Sequence, residues 1–138
     1  MKYKLLVLGG SGFIGSHVAQ RGIKNGYETY VLCRKLPKQK KLIKGVKYIN
    51  LDITDKNDLQ ILSEKSFNYI VNLAGYIDHS SFFESGKELI NLHFSSLVNL
   101  VSTIRKDNLI RFVQIGSSDE YGDNIAPQDE TQVERPYS

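Results

Sequence analysis

Short apolar runs alternate with helix-like segments along most of the chain. The runs are rich in strand-forming residues and predict β-strands at residues 3–8, 28–33, 46–51, 67–73 and 109–115. Gly26 is placed to end the first of three helices, which the helical spacing of apolar residues predicts at 13–25, 55–65 and 84–106. Strands that are almost wholly apolar belong in a sheet covered on both faces. The pattern therefore predicts a doubly wound, mostly parallel α/β sheet with helices on both faces and strand order 3-2-1-4-5.

Two segments carry further predictions about packing. The longest predicted helix has an apolar stripe that we expect to be buried, formed by Ile90, Phe94, Leu97, Val98, Val101 and Ile104. Residues 122–138 are polar, contain Pro127 and Pro136, and show no periodicity. This composition predicts a loop of the kind that borders an active site.

Composition and charge limit the class of protein. A chain of 138 residues, 41% hydrophobic and 24% charged, is long enough for one globular domain. The formal net charge is only +3, but seven basic residues lie between positions 34 and 47. We interpret this run as a solvated loop rather than a nucleic-acid surface, although one phosphate-binding group could lie within it.

Cysteine usage and the N-terminus exclude other classes. Cys33 is the only cysteine, which excludes an internal disulfide and a multi-cysteine metal site. His17 and His79 show no spacing typical of metal ligands, so no metal site is predicted. The apolar run from Leu5 to Leu8 ends at two glycines and is too short for a signal peptide or a membrane span. We therefore expect a cytoplasmic protein that binds neither nucleic acid nor a membrane.

A glycine-rich turn between the first strand and the first helix is the most informative motif. Gly9, Gly12 and Gly15 form the pattern G-x-x-G-x-x-G. One glycine allows a tight turn, one lets the backbone approach a pyrophosphate, and one lets the helix pack closely on the strand. The helix N-terminus adds unpaired N–H groups and a partial positive charge. The motif predicts a dinucleotide-binding site, in which we include the first helical residues, Phe13 and Ile14.

The end of the second strand bears on the choice between NAD and NADP. An NAD-preferring site places an acid about 20 residues past the glycines, where it holds the ribose hydroxyls. This chain has Arg34 and Lys35 there, and no acid. A guanidinium can hold a 2′-phosphate through two hydrogen bonds, with the lysine as a second charge. We therefore expect the cofactor to be NADP or NAD, with NADP preferred because of Arg34.

Residues after the third and fourth strands complete the predicted cofactor site. Asp52 could accept a hydrogen bond from an adenine amino group, with Ile53 against the ring. Alternatively, Asp52 caps the helix predicted at 55–65, a role for which Thr54 is at least as well placed. The fourth strand closes with small residues that let a cofactor lie against the backbone, and we include Leu73, Ala74 and Gly75 in the site.

Four segments resemble motifs of one known family. They are, in chain order, GGSGFIGSHV, LDITD, NLAG and RFVQIGSSDEYG. They resemble the glycine turn, the adenine-contacting segment, the motif after the fourth strand and the catalytic serine or threonine strand of the extended short-chain dehydrogenase/reductase family. The likeness is to its nucleotide-sugar epimerases and dehydratases in particular, and it covers essentially the whole chain. It implies a Rossmann fold, an NAD(P) cofactor and a nucleotide-sugar substrate.

The resemblance also implies candidate catalytic residues. The family's serine or threonine, which hydrogen-bonds the reacting oxygen of the sugar, falls at Ser117. Dehydratases add a glutamate two positions later, where this chain has Asp119, and a one-residue shift would bring Glu120 there instead. Alternatively, both acids belong to a polar loop capped by its own side chains. An asparagine of the family's long helix corresponds to His93, or to Asn91 if the register shifts.

One family motif is not matched. The family's catalytic tyrosine and lysine lie in Tyr-x-x-x-Lys, whereas Tyr137 is followed only by Ser138. We therefore expect residues 1–138 to be the NAD(P)-binding Rossmann domain of an epimerase or dehydratase, able to bind cofactor but inactive alone. Alternatives are a non-catalytic NAD(P)-binding sensor or interaction module, and an NADPH-dependent sugar 4-ketoreductase. An open apolar edge from Phe112 to Ile115 predicts self-association or marginal stability, and we expect a homo-oligomer.

Overall fold

The computed structural model describes residues 2–75 and 82–136. They contain one five-stranded parallel sheet with the order β3-β2-β1-β4-β5. The strands are β1 (Lys4–Leu8), β2 (Glu28–Cys33), β3 (Lys47–Asn50), β4 (Tyr69–Asn72) and β5 (Arg111–Gln114). The helices are α1 (Phe13–Lys24), α2 (Lys56–Leu59), α3 (Phe82–Ile90) and α4 (Ser96–Thr103). The predicted doubly wound fold and its strand order are confirmed.

Apolar side chains fill both faces of the sheet. Side chains alternate along a strand, so Leu5 and Val7 of β1 pack on one face while Leu6 and Leu8 pack on the other. On the first face, α1 contributes the fully buried Ala19. The second face is covered from α2 and α4, and its large buried side chains include Leu59, Leu62, Phe67 and Leu100. Because all strand pairs are parallel, the carboxyl ends of the strands meet at one edge of the sheet.

Gly26 ends α1 as predicted. It has a φ of +82°, and its N–H donates to the Ile23 carbonyl at 3.0 Å. The Tyr27 N–H donates to the Gly22 carbonyl, also at 3.0 Å. These two bonds form a Schellman motif, which satisfies the last carbonyls of the helix and reverses the chain. The chain then enters β2, whose carboxyl end lies at the same edge of the sheet as the glycine turn.

Two predicted helices differ from the structure. The helix predicted at 55–65 is shorter, because α2 has one turn and continues only as a 3₁₀ turn over Gln60–Leu62. The helix predicted at 84–106 is divided by a π-helical turn over Asn91–Ser95. At this turn the hydroxyl of Ser96 donates to the Leu92 carbonyl. No helix in the described part of the chain is long and apolar enough to span a bilayer.

The predicted burial of the long helix's apolar stripe is wrong for most of its residues. Ile104 is buried, but Phe94 is 68% exposed and Val98 is 50% exposed. The helix buries Ser96 and Leu100 against the sheet instead. At about 100° per residue these positions lie on the face opposite Phe94 and Val98. The helix thus has two apolar faces, and only one of them packs on described residues.

The open edge of β5 is confirmed within the described residues. β5 pairs with β4 alone, and the side chains of Val113 and Ile115 are 37% and 45% exposed. After β5 the described chain contains one 3₁₀ turn, over Ser118–Tyr121, and otherwise neither helix nor strand. This agrees with the loop predicted from residue 122 onward, as far as residue 136.

Candidate functional site

The glycine turn packs tightly between β1, α1 and the end of β4. Gly9 has a φ of +70°, and a Cβ there would lie 2.9 Å from the carbonyl carbon and oxygen of Leu73. A Cβ at Gly15 would lie only 2.4 Å from the Gly9 oxygen. The N–H of Gly12, which precedes α1, donates to that same oxygen at 3.0 Å. The glycines therefore let α1 begin directly against the ends of β1 and β4.

The first turn of α1 is open to an anion. No side chain in the described part of the chain caps it, and this turn contains no acidic residue. The first N–H groups of a helix lack intrahelical acceptors, and the helix dipole adds partial positive charge there. A Cβ at Gly12 would meet only the Gly9 oxygen, at 3.3 Å, so the space around that Cβ position is otherwise open to a ligand. This donor set fits a pyrophosphate group.

A cleft of about 720 Å³ opens at the carboxyl ends of β1, β2 and β4, and we call it the central cleft. The strand order reverses there, which is where open α/β sheets bind ligands. The fold brings together predicted cofactor residues from four separate segments of the chain. The cleft is lined by Gly9, Ser11, Gly12, Leu32, Cys33, Arg34, Lys35, Asp52, Ile53, Leu73, Ala74, Gly75 and Leu92.

Three predicted cofactor residues lie outside this lining. Gly15 is buried beneath the glycine turn, where it allows the close packing. Phe13 is 82% exposed, its ring contacts His17 edge-on, and it lines a second cleft on the other side of the turn. Ile14 is 59% exposed. Direct contact of these three with a cofactor stays a prediction.

Hydrogen bonds from the end of β3 fix the backbone at the end of β2. The Asn50 Nδ2 donates to the Cys33 carbonyl at 3.1 Å and to the Arg34 carbonyl at 2.7 Å. The side chains of Arg34 and Lys35 are exposed at the rim of the central cleft. Asp52 is the one carboxylate in the described lining, so this rim carries net positive charge.

Asp52 organises the turn after β3 and does not cap α2. Its Oδ1 accepts from the N–H and the hydroxyl of Thr54, at 2.9 Å and 2.8 Å. The cap of α2 is Asp55, which accepts from the N–H groups of Asn57 and Asp58. The alternative role foreseen for Asp52 or Thr54 as the cap is therefore wrong. Among described residues nothing donates to Asp52 Oδ2, which leaves that oxygen as an acceptor in the central cleft.

The π-helical turn reaches the opposite end of the central cleft. Leu92 lines the cleft, and a Cβ at Gly75 would lie 3.3 Å from Cε1 of His93. A π turn adds a residue to the helix and redirects the side chains around it, and such turns are frequent at functional sites. The structure therefore places His93 beside the predicted segment that follows β4. His79 and Tyr137 lie outside the described residues.

Ser117, Asp119 and Glu120 follow β5 at the same edge of the sheet, outside the lining of the central cleft. The Ser117 Oγ accepts from the Asp119 N–H at 3.2 Å and so begins the 3₁₀ turn. This capping by the loop's own side chain agrees with the structural alternative for these residues. A hydroxyl that accepts one hydrogen bond can still donate its own proton, so Ser117 keeps a hydrogen-bond donor. All three side chains are exposed.

Partial burial, followed by nearby carboxylates, raises the pKa of Tyr121. A raised pKa keeps the phenol protonated at neutral pH, so Tyr121 can donate a hydrogen bond but is a poor base. The polar tail packs back on this loop, since the Arg135 N–H donates to the Glu120 carbonyl at 2.8 Å. The carboxylates concerned are those of Glu120, Glu130, Glu134 and Asp129.

The sequence analysis missed five residues of the site: Ser11, Leu32, Cys33, Asn50 and Leu92. Asn50 ends β3 beside β2, so the predicted strand order was a sufficient signal for its position. Cys33 lies in the central cleft, where burial raises the pKa of its thiol. No pattern in the sequence predicts that Leu92 lines the cleft, because its position depends on the π-helical turn.

Comparisons with known proteins identify the family. The profile of the NAD dependent epimerase/dehydratase family matches residues 5–138. The chain is 29% identical to the UDP-glucose 4-epimerase of Haemophilus influenzae over 128 residues, and this match covers 86% of this chain and 38% of that protein. It is 27% identical over 131 residues to the UDP-N-acetyl-alpha-D-glucosaminuronate decarboxylase of Bacillus cytotoxicus, covering 92% and 40%.

A solved structure agrees with these relatives. The UDP-glucose 4-epimerase of Thermus thermophilus, in complex with NAD, matches with a TM-score of 0.81 at 26% identity, over 98% of this chain and 45% of that one. This chain spans less than half the length of each of these three proteins. Because the profile matches nearly every residue, the protein belongs to the NAD dependent epimerase/dehydratase family.

Proposed function

We propose that this chain binds NAD(P) in the central cleft and serves as the cofactor-binding part of a nucleotide-sugar epimerase or dehydratase. The observation that carries the proposal is the uncapped first turn of α1, which opens into a cleft at the point where the strand order reverses. The relatives supply the substrate class, since one acts on UDP-glucose and another on a UDP-linked glucosaminuronate.

Each part of the central cleft suits one part of the cofactor. The backbone of Gly9 and Gly12 would hold the pyrophosphate at the start of α1. The Oδ2 of Asp52, to which no described residue donates, would accept from the adenine amino group, with Ile53 against the ring. The small residues after β4, Ala74 and Gly75, would let the other end of the cofactor lie against backbone.

The residues after β5 would act on the sugar. A bound nicotinamide dinucleotide supplies reversible hydride transfer, and the protein supplies orientation and proton transfer. The exposed hydroxyl of Ser117 can donate a hydrogen bond to a sugar oxygen. Asp119 and Glu120 are exposed carboxylates of the same turn and would assist the removal of water in a dehydratase.

The choice between the two cofactors follows from the rim at the end of β2. Arg34 and Lys35 stand where an NAD-preferring site needs an acid, and Asn50 holds the backbone of Arg34 in place. Because a guanidinium pairs with a phosphate through two parallel hydrogen bonds, we propose that NADP is preferred to NAD.

We also propose that the protein self-associates. The outer face of the long helix exposes apolar side chains, and among the described residues β5 pairs with β4 alone. Both features favour contact with another polypeptide surface. The exposed residues of the helix face are Ile90, Phe94, Val98 and Val101.

Cofactor binding is tested by titrating the 138-residue chain with NADH and following NADH fluorescence. In the Gly12→Ala variant the new methyl group meets only one neighbour, at 3.3 Å, so the fold should persist. The methyl group lies where the pyrophosphate must approach, and we expect at least about tenfold weaker binding. The melting temperature should change by no more than about 3 °C.

The matched control is Gly116→Ala, whose Cβ would have ordinary contact with Glu120 at 3.9 Å, away from the glycine turn. It should bind NADH like the parent chain. The proposal is wrong if the parent shows no saturable binding of either NADH or NADPH at millimolar concentration, or if Gly12→Ala binds the dinucleotide as tightly as Gly116→Ala.

A further inference from the structure

A second cleft lies on the other side of the glycine turn, between α1 and the segment that connects β2 to β3. Its volume is about 720 Å³, and we call it the lysine groove. Ser11 and Gly12 line both this groove and the central cleft, so the two meet over the glycine turn. The charged residues that line the groove are Lys24, Lys40, Lys41 and Lys44.

The charge of the lysine groove is not compensated. No carboxylate lines it, and the ion pairs found among the described residues join Lys47 with Glu28 and Arg105 with Asp107. Four ammonium groups around one concavity raise the local concentration of anions, because a cleft concentrates the field of its charges. The groove is therefore suited to an anionic group.

The course of the chain divides these lysines between two ends of the groove, an upper end near the glycine turn and a lower end near the C-terminus of α1. Since β2 and β3 are parallel, the segment between them runs from the edge of the central cleft to the opposite edge of the sheet. At its lower end a Cβ at Gly45 would lie 3.5 Å from Ile23, near the C-terminus of α1. Lys44 is therefore low in the groove, beside Lys24.

The upper part of the groove belongs to the 3₁₀ turn over Gln39–Lys41. The Ile43 N–H donates to the Tyr48 hydroxyl at 3.1 Å, which ties the chain below this turn to the beginning of β3. Lys40 and Lys41 therefore lie between that anchor and Arg34, on the side of the glycine turn.

We propose that Lys40 and Lys41, together with Arg34, bind the 2′-phosphate of NADP(H) where the two clefts meet at Ser11. The inference rests on the proposed cofactor binding. In doubly wound dinucleotide sites the 2′-position of the adenosine ribose lies at the end of the second strand. A phosphomonoester carries close to two negative charges at neutral pH, so it attracts basic groups in addition to Arg34 and Lys35 at the end of β2. The upper lysines are the next basic groups lining the groove along the chain from that strand end.

Titrations of the 138-residue chain with NADPH and with NADH test the proposal. The Lys40→Ala/Lys41→Ala variant should raise the ratio of the NADPH to the NADH dissociation constant by about tenfold or more. It should also make NADPH binding less sensitive to added salt. The matched control, Lys24→Ala/Lys44→Ala, removes the same charge from the lower groove and should change that ratio by less than about twofold.

The possible outcomes separate this inference from the proposed function. An equal change of the ratio in both double variants would indicate general charge attraction and overturn the assignment. Sensitivity to Arg34→Ala alone would likewise overturn it, because the lysines would then not contact the phosphate. A parent chain that binds NADH but not NADPH contradicts the inference and leaves cofactor binding intact. If neither dinucleotide binds, both proposals fail. All of these lysines are exposed, so unchanged melting curves should accompany the binding data.

Discussion

Gly15→Ala should destabilise the protein, although alanine is the better helix former. The new Cβ would lie 2.4 Å from the Gly9 oxygen and 2.6 Å from the Gly10 Cα, whereas ordinary contact begins at 3.4 Å. The start of α1 would thus have to move about 1 Å from the glycine turn, which is backbone and cannot rotate away. Overpacking of this kind costs about 1–3 kcal/mol, and alanine in a helix returns about 1 kcal/mol. Because the new Cβ meets backbone, we take the upper end of that range, which gives a net loss of about 2 kcal/mol.

The matched control is Gly22→Ala in the same helix. Its Cβ would lie 2.7 Å from Leu5 Cδ2 and from Thr29 Oγ1, which are ends of side chains rather than backbone. Leu5 can change its rotamer, and the gain in helix propensity is the same. We therefore expect the free energy of unfolding to stay within about 1 kcal/mol of the parent value.

Urea unfolding followed by far-UV circular dichroism measures both variants, and the chain has no tryptophan for a fluorescence probe. Gly15→Ala should lower the midpoint without changing the slope of the transition, since the surface exposed on unfolding is nearly the same. If Gly15→Ala proves as stable as Gly22→Ala, the backbone contact at the glycine turn does not limit the approach of α1, and our steric account of the motif is wrong.

Two further predictions concern charge and association. Hydrogen bonds, chiefly from Lys47 and next from Tyr30, lower the pKa of Glu28 below its usual value of about 4.5. The ionised Glu28 carboxylate therefore stabilises the fold above about pH 4.5, and this stabilisation is lost as the pH falls through the lowered pKa. Glu28→Gln should therefore lower the urea midpoint near about pH 6 more than near about pH 3, and equal effects would contradict the ion pair. Phe94→Glu should reduce self-association measured by light scattering. The control is Ile61→Glu, because Ile61 is 48% exposed but lies outside the apolar stripe of the long helix, and it should leave self-association unchanged. A monomeric parent chain would contradict the proposed contact.

Local signals in the sequence were sufficient for much of the fold. Continuous apolar runs located all five strands. For β1, β2 and β4 the reason is burial in the middle of the sheet, whereas β3 and β5 contain no fully buried residue. Gly9, Gly12 and Gly15 located the turn, since their spacing reflects contacts within one strand, one turn and one helix. Arg34 and Asp52 could be placed at one edge because parallel strands end together. The sequence by itself therefore determined the fold class and most of the lining of the central cleft.

Tertiary structure alone decided the features that depend on packing between distant segments. The periodicity of the long helix predicted one buried stripe, but the contact with the sheet selected the face of Leu100, and Phe94 stayed exposed. Asp55 caps α2, whereas the Asp52 side chain accepts a hydrogen bond from the Thr54 N–H. Lys40 lines a groove together with the glycine turn because the segment after β2 packs beside α1. The spacing of apolar residues shows that a helix face is apolar. Which apolar face becomes buried depends on the sheet and helices that pack against it.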